Sequence, residues 1–192
     1  VDDVDGEGYE VMSTGNFHGQ PLAFAGDMLA MAAAELGSIS ERRVYRLLDP
    51  ATSRGLPPFL ARNAGTNSGF MLAQYTAASL VAENKVLAHP ASVDTIPTSG
   101  NQEDHVSMGW GAGLKLNQIL GNARKVVAIE MLCAAQGIEY RSPLLPAPGT
   151  AAMVGLVRAH VPPLAEDRSL TDEIEVVAAL IADGSVAAAA NR

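Results

Sequence analysis

The sequence predicts an all-α fold, on three observations. It is rich in alanine and leucine, and aromatics make up only 5% of it, a balance that favours helices over strands. Apolar residues recur at three- and four-residue spacing through several long segments, the period of a one-sided helix. Strict apolar/polar alternation of strand length is missing beyond the first dozen residues, where Glu10-Val11-Met12-Ser13 can make a short extended piece.

The first helix begins near Pro21, a residue suited to the first helical position. Leu22, Ala25, Leu29, Ala32 and Leu36 recur along it as the expected apolar face. Either Gly37 ends this helix and Ser38 with Glu41 caps a second one, or one long helix tolerates Gly37 at a cost of ~1 kcal/mol. Asp49-Pro50 stops it in both cases. Residues 51–68 read as loop. Ser68 then caps a helix with Phe70, Ala73, Ala77, Leu80, Val81 and Leu87 on one face, ending before Pro90. A stretch without usable periodicity spans 90–106. Its length is uncommon inside a compact domain and, when ordered, is usually functional. A long helix follows from about Ser107 to Gln136, with Gly137 past its end. After the prolines at 143, 146 and 148, a short helix covers about 150–160 and stops at Pro162-Pro163. The last amphipathic helix starts near Ser169 or Thr171, with Asp172 and Glu173 in its first turn. It carries Ile174, Val177 and Ile181 and stops at Gly184. The alanine-rich tail to Arg192 is expected to fray.

The 192 residues suffice for one domain with a real core. The formal net charge of −8 argues against a nucleic-acid or anionic-membrane partner, because both select a basic face. The longest apolar runs are broken by Asp27 and Glu130, short of the ~20 residues of a membrane span. The acidic start, Val1-Asp2-Asp3-Val4-Asp5, does not read as a signal peptide. The single cysteine, Cys133, excludes a disulfide within the chain and a cysteine metal knuckle. It lies in an apolar run and reads as a small buried hydrophobe. A reducing, cytoplasmic setting fits this usage.

Two polar loops stand out. Gly15-Asn16-Phe17-His18-Gly19-Gln20-Pro21 places an aromatic ring and an imidazole beside a helix start. Its bland reading is a turn in which Phe17 staples the helix entry and His18 is solvated. Asn101-Gln102-Glu103-Asp104-His105 can ligate a metal, form an acid/base pair or be a solvated acidic turn. The four histidines (His18, His89, His105, His160) are scattered, which disfavours a metal site. No Gly-x-Ser-x-Gly and no Gly-x-x-x-x-Gly-Lys occurs. Among single residues, His89 reads as structural, and His105 either touches a ligand or bonds loop backbone. Arg42 and Arg43 read as helix-surface or intersubunit ion-pair partners. Met28, Met31, Met131 and Met153 read as core filler, and Trp110 as packed at the start of the long helix. Residue chemistry alone stops at a helical domain with a polar functional loop.

Several motifs in order extend this reading. They are Gly15 to Pro21, Ile39-Ser40-Glu41-Arg42-Arg43, Gly55-Leu56-Pro57-Pro58-Phe59-Leu60 and Asn67-Ser68-Gly69-Phe70-Met71. The longest runs from Glu83-Asn84-Lys85 through Ala88-His89-Pro90-Ala91-Ser92-Val93-Asp94 to Gln102-Glu103-Asp104-His105-Val106-Ser107-Met108-Gly109. Over roughly residues 15–142 the sequence resembles the aromatic amino acid lyase family, in its histidine ammonia-lyase branch. The Glu103-Asp104-His105 run is the histidine-type version of the loop. A carboxylate can accept a hydrogen bond from an imidazole N–H and stabilise the imidazolium, whereas a phenyl ring leaves it desolvated and unpaired.

The resemblance implies a long-helix bundle, as in the aromatic amino acid lyase and L-aspartase-like fold, assembled as a homotetramer with active sites built from more than one subunit. It implies conversion of L-histidine to trans-urocanate and ammonia in histidine catabolism. The electrophile would be a methylidene-imidazolone ring formed autocatalytically from Ala-Ser-Gly. Carried over by position, Glu103 is the catalytic carboxylate that binds the imidazole and Gln102 the amide beside it. Phe17 is the aromatic near electrophile and substrate, and His18 a further substrate contact. The chain departs from the family pattern in two ways. It contains no Ala-Ser-Gly, Thr98-Ser99-Gly100 being the nearest tripeptide, and it lacks the family's Gln-Asp-x-Tyr-Ser-x-Arg stretch. It is therefore expected to be a single helical C-terminal portion, with 90–106 as its active-site loop and the electrophile-bearing part outside it. The alternatives are another aromatic amino acid lyase or aminomutase, and a non-catalytic helical oligomerisation module.

Overall fold

The computed structural model describes residues 17–191. The acidic start, the extended piece at 10–13 and Arg192 lie outside these residues. Six α-helices occur among them: α1 (Gln20–Leu48), α2 (Met71–Leu87), α3 (Gly109–Glu139), α4 (Pro148–His160), α5 (Thr171–Ala182) and α6 (Ser185–Ala190). No strand occurs among the described residues, only isolated bridges, so the all-α expectation holds. The long helix α3 is the spine, touching α1, α2, α4 and α5.

The face that α1 turns toward α3 differs from the expected one. Its buried residues are Ala23, Asp27, Ala30, Ala33, Gly37, Ser40, Glu41, Val44 and Leu48. The expected face is exposed: Leu22, Leu29 and Leu36 all face outward. Small side chains win the inner face because they let the two helix backbones approach closely. A Cβ on Gly37 would sit 3.6 Å from Asn84 Nδ2 and 3.8 Å from the Ala123 Cβ. Gly37 thus lies on the packed face within one continuous helix, the second of the two alternatives, where a Cβ would make ordinary contacts, and Ser38 and Glu41 are helical rather than a cap. Glu41 is buried, accepting from Gln74 Nε2 at 2.8 Å and Arg42 Nε at 2.6 Å.

By length and composition α1 also meets the criteria of a membrane span, with a mean hydropathy of 1.4 over 18 residues, which corrects the sequence expectation. Its inner face nevertheless carries Asp27, Ser40 and Glu41 in polar contacts with other parts of the chain.

The main core gathers where α3 meets everything else. Val126, Ile129, Leu132 and Cys133 pack with Val44 and Leu48 of α1, Phe70 and Ala73 beside or in α2, Val157 of α4 and Val177 of α5. Burial pushes the Cys133 thiol up, so it stays protonated. Gly137 lies inside α3 against Leu56 and Leu60 rather than past its end. Glu130 of α3 is paired with Arg43 and accepts from Ser40 Oγ at 2.6 Å, which makes Arg43 an intrachain partner. Arg42 pairs with Glu41 at 2.5 Å and stacks over Tyr45. Three residues expected to be packed are exposed: Met28, Met31 and Trp110, the last at 82%. All lie on outer faces of α1 and α3.

The start of α2 is held from a distance. Ser68 does not cap it with its side chain; the N-cap position is Phe70. Instead the N–H groups of Ser68 and Gly69 donate to the Asp167 carboxylate at 2.7 and 2.9 Å. Gly69 has φ +57°, and a Cβ there would collide with the Phe59 carbonyl and lie 2.9 Å from the Ala61 Cβ. Further on, the tail expected to fray forms α6, with Ala189 buried and contacts to α4 and α5.

Two predictions follow from these contacts. Gly69→Ala adds left-handed strain of about 1–3 kcal/mol and overpacking of about 1–3 kcal/mol, and thermal unfolding will show a marked loss. The second concerns acid. Hydrogen bonds from Ser68 and Gly69 hold the Asp167 carboxyl below the ordinary carboxylate range. At Asp27 burial pushes the carboxyl up, but hydrogen bonds from Ser92 and Ala91 and the charge of Lys115 outweigh it, leaving a net downward shift. A carboxyl depressed in the folded state stabilises it above its unfolded value and loses that contribution as pH falls through the folded one. The melting-temperature deficits of Asp27→Asn and Asp167→Asn are therefore expected to be full at about pH 6 and to shrink toward about pH 3.

Candidate functional site

The site candidates sit where α1 and α3 begin, side by side. Gly19, with φ +77°, occupies the N-cap position of α1, and its carbonyl accepts from the N–H groups of Leu22 and Ala23 at 3.1 Å each. Phe17 and His18 precede it. Met108, also left-handed with φ 56°, occupies the same position for α3. The 90–106 stretch therefore arrives beside the Phe17-His18 turn just before entering α3.

Within that stretch, residues 98–103 close into a tight hairpin. Thr98 N–H donates to the Glu103 carbonyl at 3.0 Å, and Glu103 N–H returns to the Thr98 carbonyl at 3.3 Å. The tip is a single 3-10 turn, Ser99–Asn101, with left-handed φ at Ser99, Gly100 and Asn101. The hairpin lies within a wider loop tied by Val106 N–H donating to Thr95 Oγ1 at 2.7 Å. Gln102, Glu103, Asp104 and His105 are all exposed.

The structure joins the two polar loops singled out in the sequence. His18 Nε2 hydrogen-bonds the His105 carbonyl at 2.7 Å, so that nitrogen carries the proton in this contact. The two imidazoles stack, with centroids 5.1 Å apart and planes inclined by 14°. His18, expected as a solvated turn residue or a substrate contact, thus has one ring nitrogen engaged in holding the loops together. His105 uses its backbone, one of the two roles left open for it. Phe17 stands 83% exposed beside this junction. His89 contributes its carbonyl, which accepts from Lys115 Nζ.

A groove of about 590 Å3 lies elsewhere, between α1 and α2, and includes Met31, Glu35, Arg42 and Lys85. The candidate residues form one open wall, with Phe17 and Glu103 facing solvent. No group of three or more metal-ligating side chains occurs among the described residues. Nor do the residues here fit as precursor of the methylidene-imidazolone ring. Thr98-Ser99-Gly100 differs from the required tripeptide and is the exposed tip of the hairpin. What the wall offers is recognition chemistry: an acceptor carboxylate, an amide and an aromatic face.

Sequence reasoning missed the groups behind the wall. Asp27, Gln20 and Lys115 hold the start of the 90–106 stretch. The visible signal was Asp27 itself, a carboxylate amid the alanines of an apolar helix, read there only as an interruption.

Comparison with known proteins identifies the family. Residues 1–159 match the aromatic amino acid lyase family. A curated relative, the histidine ammonia-lyase of Symbiobacterium thermophilum, is 58% identical over 94% of this chain and 35% of its own length. The crystal structure of histidine ammonia-lyase from Trypanosoma cruzi superimposes with a TM-score of 0.91 at 48% identity, covering 96% of this chain and 37% of that one. Tyrosine aminomutase from Streptomyces globisporus also gives a TM-score of 0.91, at 40% identity, covering 95% of this chain and 35% of that one. The chain spans about a third of the length of the curated relatives it matches. With the helical spine, the paired loops and the family match in agreement, the chain belongs to the aromatic amino acid lyases.

Proposed function

We propose that this chain is the substrate-recognising portion of a histidine ammonia-lyase, which converts L-histidine to trans-urocanate and ammonia. The observation that carries the reading is the junction of the two loops through His18 and His105. It brings the Phe17 turn and the Glu103 hairpin to one edge of the molecule. In this reading the Glu103 carboxylate accepts the imidazole N–H of the substrate and favours its charged form. Gln102 offers an amide donor beside it, and Phe17 an aromatic face. His18 contacts substrate through Nδ1, since Nε2 is turned to His105.

The elimination would need an electrophile, and in the family's complete enzyme the methylidene-imidazolone ring would supply that chemistry. The residues here do not make that ring. The proposal therefore includes a partner: the remaining, N-terminal portion of the lyase, in a homotetramer. The outward-facing Leu22, Met28, Leu29 and Leu36 of α1, with Trp110 and Leu114 of α3, support such an assembly, because apolar faces of this extent are rarely left to water. The buried, reduced Cys133 is compatible with a cytoplasmic setting. An aminomutase reading has the equal TM-score in its favour. Identity to the histidine enzymes is higher, at 58% and 48% against 40%.

Two outcomes test this. In the full-length lyase, Glu103→Ala is expected to lower kcat/KM for L-histidine by about 10- to 100-fold, the worth of a hydrogen bond to a charged group, without altering assembly. Steady-state kinetics and light scattering check both. The 192-residue chain by itself is expected to form no urocanate, monitored by its ultraviolet absorbance. Co-expression with the N-terminal portion should restore turnover.

A further inference from the structure

Burying a carboxylate in an apolar helix is costly unless the charge is bonded. Asp27 has 2% of its surface exposed. Its Oδ2 accepts the Ser92 N–H at 2.8 Å, and Lys115 Nζ stands 3.7 Å from Oδ1. The same ammonium donates to the His89 carbonyl, and Gln20 Nε2 donates to the Ser92 carbonyl at 2.9 Å. Three side chains from α1 and α3 thus hold both peptide groups of Ser92 and the carbonyl of His89, where the chain leaves α2 for the 90–106 stretch. Residues 93–105 are mostly exposed in this chain, so its own apolar core does not place them, and polar anchors must, with His18 holding the far end at His105. The α1–α3 contact does not need Asp27, since Ala23, Ala30, Ala112 and Ile119 are fully buried along it.

We infer that Asp27, with Gln20 and Lys115, is a positioning residue: by fixing residues 89–92 it sets where the hairpin presents Gln102 and Glu103 to a substrate. This rests on the reading of Glu103 as the imidazole-binding group. A misplacement of such a group by about 1 Å can cost on the order of 100-fold in rate or affinity.

The test uses the full-length lyase, with amide hydrogen exchange and steady-state kinetics on L-histidine. Asp27→Ala should speed exchange across residues 92–106 by at least about tenfold while α1 and α3 stay protected. It should raise KM by about tenfold, with kcat changing less than about threefold. Asp27→Asn, whose amide oxygen still accepts from Ser92, should recover most of both effects, and Lys115→Met should fall between them. If Asp27→Ala fails to assemble, Lys115→Met and Gln20→Ala carry the same readouts. Unchanged exchange over 92–106 overturns the inference alone. So does faster exchange with unchanged KM when Glu103→Ala lowers kcat/KM. Glu103→Ala without effect on kcat/KM overturns the Glu103 reading, and the inference with it, whatever the exchange shows.

Discussion

The close packing of α1 on α3 is the constraint on which the rest depends. It is made by residues with almost no side chain. A Cβ on Gly26 would stand 3.4 Å from the Ala112 Cβ, and Ala30 and Ile119 belong to one buried cluster. Interiors at crystal-like density tolerate little change of volume, so this seam sets the distance between the two helix axes. Because both helices begin at the same end, the seam also brings the Phe17 turn and the Glu103 hairpin together. The polar ties between the loops work over a few ångströms only because the helices beneath them are already in register.

That seam explains why the helices were legible in the sequence and their inner faces were not. Periodicity marked α1, but leucine spacing pointed to Leu22, Leu29 and Leu36, which face outward. The inner stripe of Ala23, Ala30, Ala33 and Gly37 is weakly hydrophobic and carries Asp27, so a hydrophobicity count undervalues it. Leucines at a regular spacing signal burial in something, and a lone chain does not tell which partner. The misplacement of Met28, Met31 and Trp110 has the same origin. By contrast α5 was readable in detail. It packs one face on this chain's own core, with Ile174 and Val177 buried and Asp172 and Glu173 in the first turn.

The candidate residues were legible in the sequence, and the groups that support them were not. Phe17, His18, Gln102 and Glu103 stood out because polar and aromatic groups clustered where periodicity failed. Their convergence depends on pairings across 87 residues, as between His18 and His105, and local spacing carries no trace of such a contact. The same holds at the start of α2, where the groups bonding Ser68 and Gly69 come from Asp167, 99 and 98 residues away. Capping patterns describe neighbours in sequence, so Ser68 was the natural candidate and the distant carboxylate was invisible.

Gln136 illustrates a different kind of restriction. Its amide lies in the middle of the main core's rim, donating through Nε2 to the Leu164 carbonyl and accepting the Leu164 N–H through Oε1, both at 3.0 Å. One side chain thereby imitates a neighbouring strand and satisfies both backbone groups of a buried loop residue. The link between α4 and α5 is thereby fastened to α3 at this rung, close to the pair that Arg158 of α4 makes with Glu139 of α3, and it is tied again further on by Asp167 and Arg168. The rung itself reads only main-chain atoms, while the core keeps Val161 and Leu164 apolar. The residue count from Val161 to Leu164 is fixed as well, since lengthening it by one would offer Gln136 a different peptide and leave the original one dry and unbonded.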